Sequence, residues 1–133
     1  MSLAEVKESY SRCCVSPKFF DLFYENFLAS HPAIAPMFVR TDMAKQKSLL
    51  RHGLSMMFMH LGGNSVGTTG IDRIGESHGK QKLNIDPNLY EYWINSLVKS
   101  VKACDAKMTP ALELEWRKIL RIGVDRIALQ YNK

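Results

Sequence analysis

Every apolar segment of this chain repeats at three or four residues and is cut by proline or glycine, and none alternates in the manner of a strand. That pattern leaves helices as the building blocks, and the expected fold class is all-α. Ser2, with Glu5 three residues later, has the spacing of a capping box for a helix through Val15. Pro17 predicts the start of a second helix carrying Phe19, Phe20, Leu22, Phe23, Phe27 and Leu28, which His31-Pro32 ends. Pro32 to Phe38 reads as one short turn. Thr41 or Asp42 then caps a longer helix with Met43, Leu49, Leu50, Leu54, Met57, Phe58 and Leu61 on its apolar side, stopped by Gly62-Gly63-Asn64.

The next segment is weaker. Val66 to Thr69 reads as a loop, and Gly70 to His78 as a short helix with Ile71 and Ile74 on one side, broken by Gly79. Asp86-Pro87 opens the clearest pattern, with Leu89, Tyr90, Trp93, Leu97 and Val101 running to about Ala103. Thr109-Pro110 with Glu113 opens the last helix, in which Leu112, Trp116, Ile119, Leu120, Gly123, Val124 and Ile127 form the apolar face. Six substantial helices and one short turn are predicted, in an order that does not suit an up-and-down four-helix bundle.

A chain of 133 residues is expected to form one domain over its whole length. It can bury about two-thirds of its unfolded surface, enough for a core and a ligand pocket. A reductase module would need roughly another hundred residues, so multi-step redox chemistry would have to draw electrons from a partner. Three cysteines, two of them adjacent at Cys13 and Cys14, form no disulfide framework, and a reducing cytoplasm is the expected compartment. No run reaches the ~18 apolar residues of a membrane span. Lys and Arg number 18 against 13 Asp and Glu, giving a net charge of +5. These basic residues are scattered rather than clustered with aromatics, so neither a nucleic-acid surface nor a membrane contact is expected.

With four histidines, each is weighed singly. His31 precedes a proline at a helix end, the position of a capping residue. His52 and His60 lie eight apart on one helix, about 80° off a common face, which is poor geometry for joint ligation. His78 ends a short amphipathic helix and precedes Gly79 and Lys80-Gln81-Lys82-Leu83, which can set one imidazole over an apolar crevice. Periodicity alone leaves open whether that ring is a ligand or a satisfied structural histidine.

Taken together, Phe23-Tyr24-x-x-Phe27, His31-Pro32-x-x-x-Pro36-Met37-Phe38, the Gln46 helix, His78 and Tyr90-x-x-Trp93 resemble the globins over nearly the whole chain. The likeness is to single-domain bacterial haemoglobins and the globin part of flavohaemoglobins. It implies a globin fold sandwiching haem b, with His78 as the iron ligand and Ser77 beside its other ring nitrogen. It gives Phe38 a place against the porphyrin. Tyr24 and Gln46 become the distal pair, the phenol donating to bound oxygen, where a hydrogen bond to a charged group contributes about 1.5–3 kcal/mol. Leu50 and Leu54 follow Gln46 at successive turns. The competing register makes His52 the distal residue but sets Met56 and His60 where the pocket needs apolar side chains.

The resemblance further implies that Ile74, Leu83, Ile85, Tyr90, Trp93 and Leu97 line the pocket, and that Lys47, Arg51 and Lys82 reach its rim and the haem propionates. Tyr90 resembles a tyrosine that flavohaemoglobins pair with a glutamate in the last helix; Arg126 to Tyr131 contains no carboxylate. Reversible binding of oxygen, nitric oxide or carbon monoxide is the function implied. Nitric oxide dioxygenation, with a separate flavin or iron–sulfur reductase, is the alternative, and a cofactor-free signalling scaffold a third. A monomer or weak homodimer is expected.

Overall fold

The computed structural model describes residues 3–133 and, among them, six α-helices, two short 3-10 turns and no strand. The proposed Ser2 cap lies outside the described residues. Helix α1 spans Leu3–Val15 and α2 spans Phe19–Ser30. Pro17 does not start α2 but sits in the turn before it, where the Ser16 hydroxyl accepts from the Lys18 N–H at 3.3 Å and the Ser16 carbonyl from Phe19 N–H at 3.4 Å. A 3-10 turn over Ala35–Phe38 leads to α3, Met43–Leu61. Of the two candidate caps, Asp42 is the one used, and its carboxylate accepts from the N–H groups of Ala44 and Lys45.

Helix α4 runs from Ser65 to Ser77, so the segment expected to be a loop is helical. Asn64 caps it, accepting from the Val66 N–H at 2.8 Å. Gly67, inside that segment, and Gly70, which follows it, serve the packing of α4 on α3. A Cβ added at Gly67 would meet the Met59 Cβ at 2.6 Å and the Met56 carbonyl at 2.7 Å. One added at Gly70 would meet the Met56 sulfur at 2.5 Å. Glycine costs about 1 kcal/mol in a helix interior relative to alanine; here it lets two backbones come together, and α4 carries His78 at its C-terminal end.

A second 3-10 turn, Pro87–Leu89, precedes α5, Tyr90–Cys104. Helix α6, Pro110–Ala128, is capped by the Thr109 hydroxyl, which accepts from Leu112 N–H at 3.1 Å. Helix α2 packs on α5, and α6 lies against α4, α5 and α1. Between them is a core that includes Phe19, Phe23, Leu97, Val98, Trp116 and Ile119. One polar network crosses it. Trp116 Nε1 donates to Ser9 Oγ at 2.9 Å, Ser9 donates to Asp105 at 2.5 Å, and Arg12 holds the same carboxylate through two nitrogens at 2.6 and 3.0 Å. The Arg12 guanidinium, with help from Ser9 and the Lys107 N–H, pulls the Asp105 carboxyl down to about 2 against the cost of burial.

After α6 the chain turns back onto the segment that follows His78. The Lys80 N–H donates to the Tyr131 carbonyl at 2.8 Å, and the Tyr131 hydroxyl to the Asn84 side chain at 2.6 Å. Asn84 has φ of 53°, a left-handed conformation that asparagine tolerates better than most residues. No helix among the described residues is long and apolar enough to cross a membrane.

Candidate haem pocket

Helices α2, α3, α4, α5 and α6 enclose a cavity of about 430 Å³, within the range of small-molecule sites. No Asp, Glu, Lys or Arg lines it among the described residues. Its walls are apolar side chains with a few polar groups: Tyr24, Thr41, Gln46, His52, Ser77, His78 and Tyr90.

His78 sits where the last turn of α4 leaves a carbonyl to be satisfied. The Ile74 carbonyl accepts the His78 backbone N–H at 3.0 Å and approaches ring Nδ1 at 2.8 Å. A carbonyl only accepts, so Nδ1 carries the hydrogen and Nε2 keeps its lone pair. Ser77 Oγ lies 3.0 Å from the same Nδ1 and 2.8 Å from the same carbonyl. The position expected of Ser77 is therefore shared with Ile74. Burial lowers the His78 pKa, partly opposed by the Ile74 hydrogen bond, and keeps the ring neutral near pH 7. No cluster of three His, Cys, Asp or Glu residues is assembled among the described residues, so a metal held by His78 must bring its remaining donors with it.

Across the cavity, Tyr24 is 4% exposed and its hydroxyl donates to the Gln46 backbone carbonyl at 3.3 Å. That is long for an O–H···O bond. Burial pushes the phenol up to about 12. Phe38 packs edge-to-face on Tyr24 and Phe27 with ring centroids 6.0 and 6.1 Å apart. Gln46, Leu50, Gly53, Leu54 and Met57 form one stripe of α3 along the cavity, and His52 lies at its edge, exposed.

The structure thus brings Tyr24, Phe38, Gln46, Leu50, Leu54, Ile74, Ser77, His78, Leu83, Ile85, Tyr90 and Trp93 to one cavity. Leu97, expected in the lining, lies elsewhere, and the three cations expected at the rim do not line the cavity. Lys47 pairs with Asp21 at 2.5 Å, and the Arg51 guanidinium lies over the Phe20 ring at 4.8 Å. Lys82 is exposed in the turn after His78, while Leu97, one turn past Trp93, is fully buried in the core. Sequence reasoning missed Thr41, Met57, Val124 and Ile127 as lining residues. The last two were legible as the apolar face of α6, and only the crossing of α6 under α4 turns that face into a cavity wall. Tyr90 is also pushed up to about 12 by burial, and no Asp or Glu joins it in the cavity lining among the described residues.

No family model matches the chain, and no curated protein does. Among solved structures, one from Pseudomonas aeruginosa, described as structurally highly homologous to a human haemoglobin, matches over the full length of both chains. The identity is 36% and the TM-score 0.95. Fold, helix order and this match together establish that the chain belongs to the globin family.

Proposed function

We propose that this globin holds a b-type haem through His78 Nε2 and takes up diatomic gases, oxygen foremost, reversibly. The observation that carries the reading is the His78 ring, fixed by the Ile74 carbonyl at 2.8 Å so that its one basic nitrogen is left for an uncharged, apolar cavity. The residues fit the group: a flat apolar macrocycle suits walls of Phe38, Leu50, Leu54, Trp93 and Val124. When bound, haem supplies an iron with a sixth position for the gas.

The chain's own residues supply selectivity. Tyr24 holds a proton at Oη that it now spends on a long bond to a backbone carbonyl, so redirecting it to an incoming polar ligand sacrifices little. Gln46 is the second donor, on the buried side of α3, ahead of His52 at the exposed edge. Protein purified with haem supplied, reduced with dithionite and exposed to oxygen or carbon monoxide, tests this. A Soret band that moves from a five-coordinate ferrous form to a gas adduct is expected. Absence of a Soret band would reject the reading, and a six-coordinate ferrous form would mean that a side chain occupies the gas site.

A further inference from the structure

A second concavity adjoins the first. It is an open groove between α3 and α4, and His52, Ile74 and Ser77 belong to the walls of both. On the groove side of those three residues stand Arg73 and the hydroxyls of Ser65 and Thr69, with no acidic residue in the lining.

This arrangement bears on the haem reading above, on which the inference rests. Haem carries two carboxylates, and burying an unpaired carboxylate in a cavity without cations is strongly unfavourable. They must leave the cavity where charge can be met. On one side the lining includes the exposed apolar side chains Met37, Leu49 and Leu83. On the side where His52, Ile74 and Ser77 wall both concavities, the adjoining groove holds Arg73. Two of the three cations that sequence reasoning favoured are otherwise engaged, Lys47 with Asp21 and Arg51 over Phe20, and the third, Lys82, is exposed in the turn after His78 and lines neither the cavity nor the groove. Arg126, on the far side of α4, is held by Asp72 at 2.7 and 3.0 Å. Arg73 has no such ion pair among the described residues.

The geometry points to Arg73 as the haem-carboxylate anchor of this chain, with the propionates leaving the cavity through the α3–α4 groove between His52 and Ser77. A guanidinium there makes paired, charge-assisted hydrogen bonds to a carboxylate at the water boundary.

The test compares two ligands in the full chain, iron protoporphyrin IX and its dimethyl ester, which lacks the free carboxylates. Dissociation of each into an excess of acceptor apoprotein is followed by absorbance for wild type, Arg73→Gln, Arg73→Lys and Arg51→Gln. Arg73→Gln should release the free acid roughly three- to tenfold faster and leave the ester unchanged. Arg73→Lys should fall between, Arg51→Gln should match wild type, and the Arg73 difference should shrink in 1 M salt as screening grows. Equal acceleration of both porphyrins, or none, would overturn the assignment. A wild type that retains neither porphyrin would instead remove the haem reading itself, and the anchor with it.

Discussion

Gly67 of α4 lies so close over α3 that a Cβ added to it would stand 2.6 Å from the Cβ of Met59, and nearer still to the backbone nitrogen of His60. Two backbones in such contact cannot be separated by a side-chain adjustment. Gly67→Ala is expected to destabilise the fold by about 3 kcal/mol, at the upper end for overpacking, in a urea titration. Because α4 also carries His78, the variant should lose haem faster than wild type. A stability change under about 1 kcal/mol would show that the helices separate freely.

Removing the His78 ring isolates its role. His78→Gly is expected to fold and to lose stable haem binding, and millimolar imidazole should restore a Soret band by filling the gap left on the cavity wall. Retention of haem without imidazole would assign the iron to another side chain.

Tyr24→Phe deletes a hydroxyl whose present bond is long, so the fold should lose less than about 1 kcal/mol. The oxygen dissociation rate should rise at least about tenfold. With the phenol pushed up to about 12, it stays protonated from pH 5 to 10, and the wild-type rate should show no step from Tyr24 across that range. An unchanged rate in Tyr24→Phe would remove it as a donor to the ligand.

Acid stability should depend on Asp105. Its folded pKa of about 2 lies below the ~3.9 of an unfolded aspartate, so its stabilisation is full above pH 4 and is lost as pH falls from about 4 to about 2. The contribution is on the order of 2 kcal/mol. Asp105→Asn, which leaves Ser9 and Arg12 with a neutral partner, should cost a similar amount at pH 7 and flatten the acid limb of the stability curve. Identical acid limbs would place the sensitivity elsewhere.

The helices were legible because most announce themselves twice, by a polar cap or proline at the start and by apolar residues at three and four. Asp42, Thr109 and the Tyr90–Val101 periodicity show this directly. Gly67 shows what was not: glycine serves a flexible loop and a close helix crossing alike, and only the partner helix tells them apart. The candidate site divides in the same way. Tyr24, Gln46 and His78 were selected by the resemblance to the globins, periodicity alone leaving His78 open, and all three line the cavity. Lys47 and Arg51 could not be placed that way, because a long cationic side chain takes whichever partner the fold brings within reach, here Asp21 and Phe20.

The cavity draws its walls from both ends of the chain: Tyr24 and Phe27 from α2, Val124 and Ile127 from α6. During synthesis α2 leaves the ribosome long before α6 exists, and at about 5–20 residues per second the intervening hundred residues take several seconds or more. Over that interval the nascent chain has half a pocket whose apolar side faces water. Closure of the pocket is thereby deferred until α6 has been made, and under the proposed function a ribosome stalled before Pro110 would display a chain unable to retain haem.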